Sequence, residues 1–267
     1  MILSNSLFYL IFLITNSIFL LIFIATYFLN YKNKVVNSYI HANFFIFLYS
    51  NSILFYFTPN INHELRLIII KVAFITAILS AIGIGYFTKH IINRMSRINS
   101  GIFYFFIGAW GILILLSASD LIVTDFSILP NGIIKTSYGS FRPLYLVIFI
   151  LYGIFLSKLF WEAQKLPKHD EEHALLLSMQ LIISLTWILI CATNLILPTI
   201  LNNSLSSISA PFLLLLMNIN ILATLYYRKT VTEVFRSIFM PSQESLISFA
   251  VHQKNRDIVE ILQCLEK

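Results

Sequence analysis

The stretch "ALLLSMQLIISLTWILICATNLIL", residues 174–197, contains no charged side chain. A helix rises 1.5 Å per residue and the hydrocarbon core of a bilayer is about 30 Å thick, so about 20 apolar residues are enough to cross it. The stretch therefore predicts a transmembrane helix. The whole chain of 267 residues has the same character, with 58% hydrophobic residues, 11% charged residues and a mean hydropathy of +0.83. This composition predicts an integral membrane protein whose surroundings are the lipid bilayer.

Apolar runs of similar length recur along the chain and predict an all-α membrane protein, a seven-transmembrane helix bundle. Residues 1–236 would form this one domain. The predicted spans are 7–29, 35–57, 67–87, 102–118, 144–160, 174–197 and 208–227.

The basic residues between the spans predict the orientation. Cytoplasmic connections carry an excess of Lys and Arg, and alternate connections divide these residues eleven to four. The N-terminus is therefore expected outside and the C-terminus in the cytoplasm, in a multi-pass protein of the cell inner membrane. The larger set is Lys32, Lys34, Lys89, Arg94, Arg97, Lys158, Lys165, Lys168, Arg228, Lys229 and Arg236, and the smaller is Arg66, Lys71, Lys135 and Arg142.

One outer connection, residues 119–142 between spans four and five, predicts a small β-hairpin over the outer end of the bundle. Its sequence alternates in part and centres on Pro130-Asn131-Gly132. Asn-Gly between β-prone runs favours a type I′ turn, because both central residues need positive φ. An irregular loop is the alternative.

Several function classes lack the residues they require. The last span has no lysine for a retinal Schiff base, and the opsin-type motifs of spans three and seven are missing. "HDEEH", residues 169–173, has the composition of a metal site but lies in a connection, where its acids would balance Lys165 and Lys168 or cap the sixth helix. Without a phosphate loop or a catalytic constellation, we expect no enzyme activity, no metal and no cofactor. Because the basic residues lie between spans and not on one face, we also expect no nucleic-acid partner.

Polar residues inside the spans predict the interior of the bundle, since a polar group in hydrocarbon must find a partner. They are Asn43, Asn51, Thr76, Gln180, Thr186, Asn194, Asn218 and Asn220. Hydrogen bonding between helices explains them, and so does a cavity for an unknown small ligand. Trp187, Cys191 and Asn194 share a face by α-helical spacing. The candidate ligand pocket is Trp110, Asp120, Arg142, Trp187, Asn194 and Asn218, with Asp120 and Arg142 at its mouth.

The second half of the chain carries a family pattern in three segments. "SYGSFRPLYLVIFILYGIFLSKLFWEAQKLP" spans residues 137–167, and its Tyr-Gly precedes span five. Span six ends in Thr193-Asn194-x-x-x-Pro198, and Tyr227-Arg228 leaves span seven. These segments resemble the seven-transmembrane sensor region at the N-terminus of many bacterial membrane histidine kinases. The resemblance implies a receptor that senses a signal at the membrane and passes it inward, as in two-component systems, but it assigns no ligand-binding residue.

The tail, residues 237–267, is expected to be too short for a catalytic output domain, since a globular domain needs about 50 residues or more. "SLISFAVHQKNRDIVEIL", residues 245–262, resembles the first hairpin of a PAS domain or half an ankyrin repeat, and we favour the former. Its apolar residues need a partner surface. We therefore expect signalling through a cytoplasmic protein, or self-association as a homodimer. The predicted output residues are Arg228, Lys229, Phe235, Arg236, Phe249 and Ile258.

Three alternatives to a sensor remain open from the sequence. A small-solute transporter would use the intramembrane Asn residues, although no internal repeat is visible. A divergent chemoreceptor would share the topology, and a truncated sensor-kinase fragment would share the family pattern.

Overall fold

The computed structural model describes residues 10, 13–24, 34–58, 60–92, 95–128, 134–165, 170–196 and 209–227. The chain divides into two units, residues 1–218 and 219–267, and the described part of the second is the end of one helix, 219–227. In chain order the elements are α1 (Leu13–Ile24), α2 (Lys34–Phe57), α3 (His63–Ile92), α4 (Arg97–Ala118), β1 (Val123–Ile128), β2 (Ile134–Tyr138), α5 (Arg142–Gln164), α6 (Asp170–Ile190), a π-helical segment (Cys191–Ile196) and α7 (Ser209–Tyr227).

Five helices are long and apolar enough to cross a membrane: Lys34–Phe57, His63–Ile92, Arg97–Ala118, Arg142–Gln164 and Leu175–Thr193. Two shorter apolar helices, Leu13–Ile24 and Ala210–Ala223, lie within the first and last predicted spans. By length and composition, these are the helices of a membrane protein.

Helix α3 is longer than the predicted span 67–87, because its ends are polar. The side-chain Oδ1 of Asn62 accepts a hydrogen bond from the backbone N–H of Leu65 at 2.8 Å, which caps the first turn. Glu64 lies in that turn, and Lys89 and His90 lie in the last one, so both ends suit the helix dipole. Hydropathy marks only the apolar part of such a helix.

Helices α2 and α3 run antiparallel and pack closely through small residues. A Cβ on Gly83 would lie 2.8 Å from the Cα of Ala42, so the two backbones nearly touch. One turn away, the rings of Tyr39 and Phe87 lie 5.4 Å apart. Small residues at helix crossings allow this close packing in membrane proteins.

Strands β1 and β2 pair antiparallel as a two-stranded ribbon, with Phe126 opposite Thr136 and an irregularity between Val123 and Asp125. The predicted Asn131-Gly132 turn lies outside the described residues. Gly139 ends the ribbon where a side chain has no room, because a Cβ there would lie 2.2 Å from the carbonyl oxygen of Leu121.

The ribbon is attached to the ends of α2 and α3. The hydroxyls of Tyr56 and Thr136 are hydrogen bonded at 2.9 Å, and both side chains are buried. His63 approaches the Asp125 carboxylate at 3.0 Å and stacks on the Phe126 ring at 4.5 Å. These contacts fix the ribbon over one end of the bundle, which we call the ribbon end.

Two basic residues of α3 also find acceptors at the ribbon end. Arg66 is buried and donates a hydrogen bond to the carbonyl oxygen of Thr58 at 2.9 Å. Lys71 forms an ion pair with Asp120 at 2.6 Å. A lysine within an apolar run is thereby accommodated, since its ammonium group reaches a carboxylate at the helix end.

The end of α6 departs from α-helical geometry. Residues Cys191–Ile196 form a π-helical segment, in which each turn holds more residues than an α-helical turn. The spacing rule that placed Trp187, Cys191 and Asn194 on one face therefore does not extend to Asn194. π-helical turns occur frequently at functional sites.

Candidate functional site

A cavity of about 90 Å³ lies within residues 1–218, at the ribbon end. Its walls come from α2, α3, α5, α6 and α7, and β2 covers it through Thr136 and Tyr138. Helices that pack around a covered space at one end of a bundle are a common setting for a small-molecule site.

Helix α3 makes room for the cavity through small side chains. Ala73, Ala77 and Ala81 recur every four residues and therefore lie on one face of the helix. Larger residues flank them, including Phe74 and Ile84. A stripe of methyl groups leaves space that leucines would fill.

The aromatic wall of the cavity is formed by Trp187 of α6 and Phe149 of α5. Their rings stack at 4.6 Å with an interplanar angle of 21°, and the indole N–H of Trp187 donates to the backbone carbonyl of Phe149 at 2.9 Å. This position depends on Gly153, where a Cβ would lie 2.1 Å from Cδ1 of Trp187. The indole is therefore fixed by stacking, by a hydrogen bond and by the missing side chain.

Three tyrosines from three elements supply the polar part of the wall: Tyr49 of α2, Tyr138 of β2 and Tyr145 of α5. Phe74 lies edge-on to Tyr145 at 5.1 Å and to Tyr138 at 6.4 Å. The cavity thus combines apolar walls with hydroxyl groups from different directions.

Tyr138 lies at the rim, where Arg142 covers its ring with the guanidinium carbon 3.4 Å from the ring centroid. Burial raises the pKa of Tyr138 above its ordinary value of 10, and this effect exceeds the opposite effects of Arg142 and of the hydrogen bond with Thr136. The phenol is therefore neutral at physiological pH. It can donate or accept a hydrogen bond.

The candidate pocket residues predicted from sequence are only partly brought together. Trp187 lines the cavity and Arg142 covers Tyr138 at its rim. Asp120 is 73% exposed and is paired with Lys71. Trp110 is fully buried in an aromatic cluster beside Phe149 and Tyr152, rather than at the cavity.

Asn218 is buried next to the cavity-lining part of α7. Its side-chain N–H donates to the backbone carbonyl of Leu214 at 2.9 Å, and its backbone carbonyl accepts a hydrogen bond from the Tyr39 hydroxyl at 3.0 Å. It thus joins α2 to α7 by a hydrogen bond. The remaining predictions, the Asn194 side chain and the output residues Arg228, Lys229, Phe235, Arg236, Phe249 and Ile258, lie outside the described residues.

Other polar residues predicted to face the bundle interior are buried, among them Asn43, Thr76 and Thr186. Thr186 lines the cavity, and Thr76 donates to the Val72 carbonyl on its own helix at 2.8 Å. Both amide atoms of Asn43 have no partner among the described residues. Intramembrane polar residues thus serve packing in some places and the cavity in others.

The sequence reasoning missed Tyr49, Tyr145 and Phe74. The missed signal was the phenol itself, because a tyrosine in the middle of an apolar span carries a hydroxyl that needs a partner just as an amide does. Within the described part of the chain, no group of three or more His, Cys, Asp and Glu side chains is placed to hold a metal ion.

No family model matches the chain, and no curated protein matches its sequence.

Proposed function

We propose that the protein is a membrane receptor that binds a small molecule in the cavity and transmits the signal along α7 toward the cytoplasm. The proposal joins the sequence resemblance to bacterial sensor regions with a covered cavity that has apolar walls and a few hydroxyl groups. Its role would be binding and signal transfer, without catalysis and without a cofactor.

One observation carries this proposal: α7 forms part of the cavity wall. Ala210, Leu214 and Met217 of this helix line the cavity, and the helix ends at Tyr227. The basic residues Arg228 and Lys229 follow directly in the sequence. A ligand would therefore contact the helix that leads to the predicted output segment, and it would favour the α7 position that fits it best.

The topology that we propose has seven spans across the inner membrane, with the ribbon outside and the C-terminus in the cytoplasm. Five long apolar helices and two shorter ones coincide with the predicted spans. The eleven-to-four distribution of basic residues supports the orientation. The antiparallel pairing of β1 with β2 is consistent with the predicted outer hairpin.

The resemblance to sensor histidine kinase input regions gives the proposed partner. The ribbon that ends at Tyr138 and Gly139 precedes α5 as the family pattern requires. We propose that residues beyond Tyr227 contact a cytoplasmic signalling protein of two-component type, or a second copy of the chain.

The experiment is photo-crosslinking in the host cell, with a crosslinkable amino acid at Phe249 or Ile258 in the full chain. A second variant carries the same crosslinkable amino acid together with Ala77→Leu, which fills the cavity. We expect capture of a kinase, cyclase or response regulator whose yield changes when the cavity is filled, because the cavity and the tail are coupled through α7. Capture that is identical in both chains would contradict the proposal. Solute uptake into vesicles, abolished by Ala77→Leu, would identify a transporter instead.

A further inference from the structure

We propose that the cavity binds a small neutral aromatic molecule with one hydrogen-bonding group, such as a phenol. This inference rests on the proposed function for its biological meaning, but it is a statement about the cavity alone. Charge, size, ring contacts and free hydroxyl groups lead to it separately.

The charge of the ligand follows from the walls. Among the described residues that line the cavity, none has a charged side chain. The nearby cation of Arg142 lies on the ring of Tyr138. A charged molecule would lose its hydration shell on binding and gain no counter-ion, so the ligand is neutral.

The size of the ligand follows from the volume of about 90 Å³. A cavity needs about 10–15 Å³ of such volume to hold one water molecule. The cavity therefore has room for roughly six to nine non-hydrogen atoms. One ring with a small substituent has this size, whereas a lipid chain or a sugar dimer exceeds it.

The ring follows from the aromatic walls. Phe149 and Trp187 form one face, while Phe74 stands edge-on to two of the cavity tyrosines. A ligand ring in this space would meet both faces and edges, which are the arrangements that aromatic pairs prefer. An aliphatic molecule would obtain only contact area from the same walls.

The hydrogen-bonding group of the ligand follows from the hydroxyl groups in the cavity wall. Tyr49 and Tyr145 line the cavity, and within the described part of the chain their hydroxyls bond to no other residue. By contrast, Thr136 is bonded to Tyr56, and Ser80 donates to the Thr76 carbonyl. Thr186 also lines the cavity. Tyr49, Tyr145 and Thr186 are therefore the groups that would donate to a ligand oxygen or accept from it, and the two phenols are the ones tested below.

The test measures binding of phenol, toluene and benzoate to the purified full chain in lipid nanodiscs. The readout is the change in tryptophan fluorescence as each probe is added. The three probes share a ring and differ in their substituent. We expect phenol to bind about two- to tenfold more tightly than toluene, which is the effect of one net hydrogen bond. Benzoate should not bind. The Ala77→Leu variant in the same nanodiscs serves as the blank for partition into lipid, and it should bind none of them.

Variants that lack one tyrosine hydroxyl test which residues cause the preference for phenol over toluene. In Tyr49→Phe or Tyr145→Phe, the advantage of phenol over toluene should disappear while toluene affinity stays the same. Tyr104→Phe is the control outside the cavity: Tyr104 lies on the exposed face of α4, and its hydroxyl accepts a hydrogen bond from Lys89 at 3.0 Å. Thermal unfolding of each variant checks that it is folded.

Three results would overturn the inference: no saturable binding of phenol, equal binding of benzoate, or a phenol advantage that survives in both tyrosine variants. Failure here is distinguishable from failure of the proposed function. If the tail crosslink responds to the filled cavity but phenol does not bind, the receptor proposal holds and the ligand class is wrong. If phenol binds selectively but the tail crosslink does not respond to the filled cavity, the ligand class is right and the proposal of signalling through α7 is wrong.

Discussion

At the scale of single residues, the contact between Gly153 and Trp187 shows how the cavity wall is held. The indole occupies the space that a side chain at position 153 would need. It stacks on Phe149 and is hydrogen bonded to the same residue's carbonyl group, so it has little freedom to move aside. A single methyl group at position 153 would disturb both interactions.

We therefore expect Gly153→Ala to lower the free energy of unfolding by about 1–3 kcal/mol, the usual effect of overpacking. The measurement is thermal unfolding of the purified protein in detergent. Gly108→Ala is the control, because nothing lies within 4 Å of a Cβ at that position. It should be neutral or stabilising, by up to about 1 kcal/mol, since Ala favours a helix more than Gly does. Equal unfolding temperatures for the two variants would contradict this account.

The sequence identified some residues of the site and not others, for a physical reason. Trp187 was predicted because α-helical spacing places it on one face with Cys191 and Asn194. Trp110 was also predicted to line the pocket, yet it packs against Phe149 and Tyr152 outside the cavity. Residue type predicts burial, but only the packing of the helices decides which buried side chains meet at a space.

At the scale of elements, the ribbon is held to the helices by a few polar contacts and covers the cavity with the residues of β2. Thr136 has both roles, because it lines the cavity and is bonded to Tyr56 of α2. Isolated two-stranded ribbons are marginally stable, so these contacts determine how firmly the cavity is covered.

Tyr56→Phe should loosen the ribbon without unfolding the bundle, because it removes one buried hydrogen bond of about 0.5–1.5 kcal/mol. We expect faster amide hydrogen exchange in residues 134–138 and unchanged exchange in α4. Thr124→Val is the control, since its hydroxyl bonds only within the ribbon, to the Ser137 carbonyl. If Tyr56→Phe and Thr124→Val have the same effect on exchange, the attachment to α2 has no special part in holding the ribbon.

The elements were easier to predict than their ends. Runs of apolar residues predicted the helices, and the structure contains five helices that are long and apolar enough to cross a membrane. The ends depend on caps such as Asn62 and Ser96, whose hydrogen bonds lie outside the apolar pattern. The π-helical segment at Cys191–Ile196 has no apolar signature at all, since it changes the hydrogen bonding of the backbone and not its hydropathy.

At the scale of the whole molecule, the proposed orientation rests on charge. Lys71 and Arg66 lie at the ribbon end, where Lys71 forms an ion pair and Arg66 donates a hydrogen bond to a backbone carbonyl. Lys89 and Lys165, at the opposite ends of their helices, lie against aromatic rings. Basic residues at both ends thus lie against aromatic rings, since Arg66 also covers a phenylalanine ring at the ribbon end.

Cysteine labelling in intact cells tests this orientation. After Cys191 and Cys264 are replaced by Ala, Ser140→Cys should react with a membrane-impermeant maleimide, because Ser140 lies at the exposed ribbon end. Met95→Cys, between α3 and α4, should react only after the cells are permeabilised. The reverse pattern would place the ribbon in the cytoplasm and would exclude an outer cavity.

The paired positions 153 and 187 also constrain how the chain can evolve. The residue at each position depends on the residue at the other, because the glycine leaves the space that the indole fills. A mutation that enlarges position 153 is tolerated only after the residue at 187 has become smaller, and a smaller residue at 187 favours a larger one at 153. In lineages that descend from a common ancestor with this chain, the two positions should therefore change together, while Gly101 and Gly108 on the open face of α4 are free to vary independently.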